Sequence, residues 1–443
     1  MGIFKAYDVR GLYPKELDEG LARRLGHAFG RFLGGRGEVA LGRDMRTSSA
    51  PLALAFEDGL RRAGTDVLDI GAVTTPCLYY ATGARRLAGG VMITASHNPA
   101  VYNGFKLCGE GSSPVGSESG LAELEAACAR NEPLPERATG KRTTIDLRRE
   151  YVDHVLRLGG PISPLKVAFD VANGAVGYVL PLLLEKLPQI TATRLFFEPD
   201  GTFPNHEANP LIETNLDALR DAVRKGGCDV GVAFDGDGDR CVFVDERGET
   251  IAADLMTALL ARHVLAREKG AAVVYDLRSS SVVAEEILAA GGVPIEERVG
   301  HAFIKKTMRD RGAPFGGELS GHYYWRDHFT CDSGLVTTAK VLALASASGK
   351  PLSSLIAPLR RTARSGEINF EVTDKDGALA ILERTFSGTV AKLDGVTVRL
   401  DGWWFNARKS NTEPLLRVNI EAKDRATLDA ARGKIEALLG RPV

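Results

Sequence analysis

Cysteine is scarce and dispersed in this chain of 443 residues: Cys77, Cys108, Cys128, Cys228, Cys241 and Cys331, with no Cys-x-x-Cys pair. That scatter argues against a disulfide framework and against a zinc site. No charge of one sign prevails, since 56 Lys and Arg stand against 57 Asp and Glu, a net charge of −1. There is then no general attraction to nucleic acid or an anionic membrane, and any bound anion must be captured by a local cluster. The N-terminal stretch Met-Gly-Ile-Phe-Lys-Ala-Tyr-Asp has no apolar signal core, and no run approaches the length of a membrane span. A cytoplasmic protein with neither nucleic acid nor membrane as partner is expected.

What the chain does have is length and a globular composition, 44% hydrophobic and 26% charged. It is too long for one hydrophobic core, so three or four domains of about 100–150 residues are expected. Residues 16–33 place Leu17, Leu21, Leu25, Phe29 and Phe32 at helical spacing. A unit of strand, polar loop, helix and strand then recurs. It runs from Val39 to residue 71, from Lys166 to about residue 197, and again from Val273 through a helix over 282–290. Linkers are expected at 109–120, at 131–141 and near 360–366, where Gly, Ser, Pro or charge accumulates. Beyond them Trp403 to Arg408 and Leu415 to Ile420 read as strands around a loop, and 424–439 as a helix. The predicted class is α/β: three similar mixed α/β domains over 1–145, 146–245 and 246–362, with a smaller C-terminal α+β domain over 363–443.

The most informative stretch is Asp235-Gly-Asp-Gly-Asp-Arg240, between two short β-type runs, Val230 to Phe234 and Cys241 to Val244. Gly236 and Gly238 let the backbone curl, so Asp235, Asp237 and Asp239 can converge. Three close carboxylates repel unless a hard cation neutralises them, and Mg²⁺ is the expected one. A solvated acidic turn is the plain alternative. A calcium EF-hand is rejected, because its sixth position requires glycine and here is Arg240.

Three further loops carry chemistry. The run Gly90 to Thr94 empties into Ala95-Ser-His-Asn-Pro99, presenting Ser96 beside His97. A Ser–His triad is disfavoured because adjacent residues seldom aim at each other and no G-x-S-x-G elbow is present. A phosphoryl-carrying serine fits better than a plain polar turn, with cations supplied by Lys106 and, if folding brings them in, Arg10, Arg43 and Arg46. Gly316-Gly-Glu-Leu-Ser-Gly-His322 offers Glu318, Ser320 and His322 for sugar hydroxyls, the alternative for His322 being a buried structural histidine. Arg408-Lys-Ser-Asn-Thr412 offers Arg408, Ser410, Asn411 and Thr412 for a phosphate dianion, or else is a solvated turn. His301 and Lys305, four apart near a helix start, are a binding pair or an exposed basic face.

These loops, in this order, resemble the α-D-phosphohexomutases, specifically the phosphomannomutase/phosphoglucomutase branch. The resemblance covers essentially the whole chain and rests on Thr94 to Pro99, Asp235 to Arg240, Gly317 to His322 and Arg408 to Pro414. It implies a central cleft, a C-terminal domain of the TATA-box-protein-like type, and a reversible exchange of hexose 1-phosphate and hexose 6-phosphate. It also implies that Ser96 is phosphorylated and holds one Mg²⁺ together with Asp235, Asp237 and Asp239. Glu318 and Ser320 would hold sugar hydroxyls, and Arg408, Ser410, Asn411 and Thr412 the phosphate that is not reacting. Arg10, Lys106, Arg240, Lys305 and His322 would line the cleft, with Lys106 and His322 for proton transfer. A hexose 1,6-bisphosphate would be both intermediate and activator. Leu319, where a phosphoglucosamine mutase usually has Gln, and the Arg-Lys-Ser-Asn-Thr loop favour an unmodified hexose. The run Tyr323 to His328 favours mannose, with glucose also used. A phosphoglucosamine mutase, a Mg²⁺-dependent sugar phosphatase and a non-catalytic sugar-phosphate sensor are the alternatives. The protein is expected to act on small hexose phosphates as a monomer or weak homodimer.

Overall fold

In the computed structural model, residues 2–35, 37–130, 132–135, 139–410 and 415–443 are described. The recurring unit forms three times. Glu38–Arg43, the helix Ser49–Arg62 and Asp66–Ala72 make the first; Leu165–Asp170, a helical segment ending at Glu185 and Ile190–Leu195 the second; Ala272–Asp276, the helix Ser281–Ala289 and Val293–Glu297 the third. In each the two strands pair in parallel, as a helical crossover requires.

Each unit anchors its own sheet. The first has six strands, ordered Val9–Leu12, Tyr102–Gly109, Gly89–Ile93, Glu38–Arg43, Asp66–Ala72 and Arg142–Thr144. The second has five, ordered Thr250–Ile251, Cys241–Asp245, Val230–Phe234, Leu165–Asp170 and Ile190–Leu195. The third has five, ordered Val293–Glu297, Ala272–Asp276, Phe315–Gly317, Tyr323–Trp325 and Cys331–Asp332. In all three a parallel centre carries antiparallel strands on one side, so the sheets are mixed. The fourth sheet, Ala363–Glu371, Leu415–Ala422, Trp403–Lys409, Val396–Leu400 and Thr389–Ala391, is antiparallel throughout and is backed by the helices Lys375–Thr385 and Arg425–Leu439.

One apolar core runs through the first three sheets, taking Met92 from the first, Val167 and Val232 from the second and Phe315 and Trp325 from the third. The fourth sheet has a separate core around Phe370, Phe405 and Ile435. The expected linker at 109–120 is not one. Ser112 and Val115 are buried there, Ser112 donates to the Tyr79 carbonyl at 2.8 Å, and Arg309 of the third unit donates to the Ser112 carbonyl at 3.1 Å. Its glycines and serines shape a loop packed into the seam between two units. Among the described residues no helix is long and apolar enough to cross a membrane.

Candidate active site

Parallel strands end at the same edge of a sheet, and the loops leaving their carboxyl ends are where ligands bind. Ser96 follows the strand Gly89–Ile93, the acidic loop follows Val230–Phe234, and Arg278 follows Ala272–Asp276. The first two meet directly. Ser96 Oγ donates to Asp235 Oδ2 at 2.7 Å across 139 residues of chain. The approach is so close that a Cβ on Gly236 would stand 2.3 Å from the Ser96 carbonyl oxygen. Gly238 holds φ +77°, a conformation open to glycine, and a Cβ there would meet Val176 at 2.5 Å.

Ser96 itself has φ +52°, uncommon for a residue with a side chain. Arg46 braces this loop from below. Its guanidinium donates to the carbonyls of Ser96, Asn98, Pro99 and Tyr102 at 2.6–3.0 Å. A buried guanidinium with four carbonyl partners is a clamp on the serine loop rather than a free cation for substrate. Arg43 lies 3.5 Å from Asp69, on the far side of the same turn. His97 comes nearer than expected, its Nδ1 being 3.2 Å from Ser96 Oγ. Since the single hydroxyl hydrogen goes to Asp235, His97 can only donate to Oγ and cannot deprotonate it in this arrangement.

Asp235, Asp237 and Asp239 are buried, with ligand atoms all within 4.8 Å of one another. Among the described residues Asp237 Oδ1 and Asp239 Oδ1 have no hydrogen-bond partner, which leaves them available to a cation. The triad could hold a metal ion. Lys106 Nζ sits at the same place, donating to Asp237 Oδ2 at 2.6 Å and to Asp239 Oδ2. Burial would push its ammonium down, but the three aspartates more than offset that and hold it above its ordinary value. Asp235 is pushed well up by burial and by Asp239 and Asp237. Burial also acts to raise Asp239, yet Lys106 and His322 hold it below the usual carboxylate value. Thr75, at the start of the helix Thr75–Ala84, donates to Asp237 Oδ2 at 2.5 Å and was not foreseen. Arg10 stands beside Asn98 of the serine loop, to which it donates at 2.5 Å, and is held by Asp8.

His322 meets Arg240 in an isolated bridge between the second and third sheets. Arg240 Nε donates to His322 Nε2 at 2.9 Å, while His322 Nδ1 lies 2.7 Å from Asp332 Oδ2. Those partners assign the proton to Nδ1 and the lone pair to Nε2. Lys305 is fully buried, so the exposed basic face is ruled out for it. Its ammonium lies 2.7 Å from Asp332 Oδ1 and 4.1 Å above the Tyr79 ring. Asp332 thus joins two of the expected residues and was missed; it lies in Thr330-Cys-Asp-Ser333, which matches none of the four loops. Asp239, His322 and Asp332 also converge within 4.8 Å, but in that set Lys305 already pairs with Asp332 and Lys106 with Asp239. His301 packs edge-on against Tyr7, ring centroids 5.3 Å apart, and is held well below its ordinary value by burial and Lys305. Tyr7 donates to the Val299 carbonyl at 2.7 Å and is pushed up to about 12 by burial and Glu318.

Glu318 is buried and accepts from Gly300 N at 2.8 Å, Tyr324 Oη at 2.9 Å and Ser320 Oγ at 3.1 Å. The next residue, Leu319, donates its N–H to Asp276 Oδ2 at 2.7 Å, and Asp276 also grips Arg278 with both oxygens. Arg278 in turn points at the fourth sheet. There Arg408 and Arg417, facing each other on paired strands, converge with it on Glu367. Burial lowers the Arg408 guanidinium, Arg278 adds to this, and Glu367 and Asp394 oppose it. Arg278, Arg417 and Glu367 were not singled out beforehand. Arg278 was legible as the charged end of a parallel strand; Arg417 becomes visible once the strands are paired. Ser410 lies at the end of the same strand and donates its N–H to Leu415 O at 2.9 Å. Asn411 and Thr412 lie outside the described residues.

Comparison with known proteins agrees with this geometry. Four family models cover the chain: phosphoglucomutase/phosphomannomutase alpha/beta/alpha domain I over residues 1–134, domain II over 149–248, domain III over 252–362 and the C-terminal domain over 367–438. The chain is 40% identical to a phosphohexose mutase of Xanthomonas campestris, over 98% of each chain. It is 40% identical to a phosphomannomutase of Salmonella typhimurium, over 97% of this chain and 96% of that one. A crystal structure of a phosphoglucomutase/phosphomannomutase family protein from Burkholderia thailandensis superposes with a TM-score of 0.91 at 32% identity, covering 100% of this chain and 98% of that one.

Proposed function

For a chain that belongs to the phosphoglucomutase/phosphomannomutase family and is a phosphohexose mutase, we propose a mechanism carried by Ser96. The enzyme interconverts hexose 1-phosphate and hexose 6-phosphate, with mannose as main substrate and glucose also accepted. The observation that carries the reading is the Ser96 hydroxyl, 2.7 Å from Asp235 of the buried three-carboxylate cluster. Phosphorylated Ser96 gives its phosphoryl group to a free sugar hydroxyl. The Oγ–P bond breaks as the sugar O–P bond forms, and the hydroxyl proton goes to His322 Nε2 as Arg240, which donates to that nitrogen at 2.9 Å, turns to the transferring group. Lys106 is the proposed source of the proton that Ser96 Oγ takes up as the bond breaks, and recovers it in the return transfer. The resulting 1,6-bisphosphate turns over in the cleft and Ser96 takes back its other phosphoryl group, so added bisphosphate is also the activator.

Asp235, Asp237, Asp239 and the phosphorylated Ser96 would hold one Mg²⁺, the hard cation that suits an all-oxygen set. When bound it supplies positive charge to the transferring group. Arg10 and Arg240 flank that group. Glu318 and Ser320 accept and donate to sugar hydroxyls, with His301 and Lys305 framing the ring. Arg408, with Ser410, Asn411 and Thr412, holds the phosphate that is not reacting. Domains over 1–145, 146–245, 246–362 and 363–443 divide these tasks, with the short strand Thr250–Ile251 returning across the second boundary to the second sheet. The enzyme works as a monomer or weak homodimer in the cytoplasm.

Ser96→Ala tests the reading. It should cost ~10³-fold or more in turnover while leaving the melting temperature near that of the native chain. Activity above a tenth of the native level would remove Ser96 as the carrier.

A further inference from the structure

The strand Ala363–Glu371 slips register between Arg364 and Glu367, and Gly366 within the slip holds φ +70°. This irregularity directs the Glu367 carboxylate at three guanidinium groups. Arg408 Nη2 donates to Oε2 at 2.9 Å, Arg417 Nη1 lies 3.1 Å from Oε1, and Arg278 Nη1 lies 3.9 Å from Oε2. The three arginines come from two domains. The side chains of Arg408 and Arg278 are 3% and 10% exposed, whereas Glu367 keeps 28% of its own exposed. Two buried cations and a third, Arg417, that is 23% exposed thus surround an anion that has an open side toward solvent.

We propose that Glu367 is a built-in counter-ion of the distal phosphate cradle, occupying its arginines when substrate phosphate does not and competing with that phosphate when it arrives. The proposal rests on the assignment of Arg408 to the non-reacting phosphate. Without an anion, three guanidinium groups this close would repel one another. A carboxylate offers one charge and two oxygens; a phosphate dianion offers two charges and three, and makes the stronger charge-assisted bonds. Phosphate therefore displaces Glu367, but binds less tightly than it would to an uncompensated cradle. A weakened grip is what the chemistry needs here. The bisphosphate must release one end and present the other, and a returning carboxylate keeps the arginines in place while it does so.

Calorimetric titration of inorganic phosphate into the full-length enzyme separates this from a scaffolding role. Glu367→Gln and Glu367→Ala should each bind phosphate about three- to tenfold tighter, the scale of one partly exposed charge contact. The gain should vanish in either variant combined with Arg408→Ala. In turnover, Glu367→Gln should lower KM and kcat together, because the held end leaves more slowly. Unchanged or weaker phosphate binding in both single variants would show that Glu367 only props up the arginines and would overturn the proposal. So would a gain that survives Arg408→Ala. Phosphate binding is read without turnover, so a native enzyme that failed to convert mannose 1-phosphate would sink the mutase reading and leave this result standing.

Discussion

At the scale of single residues, the two buried histidines outside the active site show how charge is managed. His154 Nε2 lies 3.1 Å from His328 Nδ1, and Arg157 donates to His154 Nδ1 at 2.8 Å. An arginine that donates to Nδ1 leaves no place for a proton there. Burial, with Arg157, pushes His154 down to about 4; burial, with His154, pushes His328 down to about 3. In the unfolded chain both have the ordinary value of about 6.5. Between about pH 6.5 and pH 4 the unfolded state therefore binds protons that the folded state refuses. Stability falls as pH falls through that window, and rises with pH inside it. Each tenfold change in proton affinity is worth about 1.4 kcal/mol, so the pair contributes a slope of a few kcal/mol across the window. Melting temperatures from pH 7 to pH 4.5 should drop steadily in the native protein and more gently in His154→Gln. Parallel curves would show that the pair does not carry the acid sensitivity.

At the scale of elements, the decisive contact is between two loops. Gly236 lies against the Ser96 carbonyl where a methyl group would stand at 2.3 Å. Gly236→Ala must therefore part the acidic loop from the serine loop, or shift the Arg46 clamp that holds Ser96. Either outcome should cost ~1–3 kcal/mol of stability, as overpacking does, and a larger share of activity than of stability. Native-like kcat/KM in a folded Gly236→Ala enzyme would mean that the loops need not touch.

Much at this scale was visible in the residues. Glycines between aspartates announced a turn, apolar runs on either side announced strands, and the three strand–loop–helix–strand units formed as their periodicity required. The loop at 109–120 was not legible, because glycine and serine look alike in a linker and in a tight seam. Arg46 was misjudged for a related reason: a cation in a loop can serve carbonyls as well as phosphate, and burial alone decides which. Asp332 and Glu367 have no sequence signature, since their importance comes from partners 10 and 41 or more residues away.

At the scale of the molecule, three sheets share one core and a fourth stands apart with its own. The seam between the third and fourth is polar and loosely filled. Glu421 accepts from Ser281 Oγ at 2.6 Å and from Trp404 Nε1 at 3.0 Å, Arg364 pairs with Asp254, and cavities of about 460 and 400 Å³ flank these contacts. A domain attached in this way can carry Arg408 toward and away from the cleft without disturbing the shared core. On the proposed assignment the rigid part holds Ser96 and its aspartates, and the separable part carries Arg408 and Arg417 of the phosphate cradle.

The central claim is that Ser96 passes its phosphoryl group to the sugar and recovers one from it. Enzyme phosphorylated with an isotopically labelled group, freed of excess donor and mixed with unlabelled mannose 1-phosphate for a single turnover, tests this directly. The label should leave the protein and appear in the sugar phosphate, with the intact mass still showing one phosphoryl group per chain and no labelled inorganic phosphate released. Label that stays on the protein while product forms, or that departs as inorganic phosphate, would contradict the account.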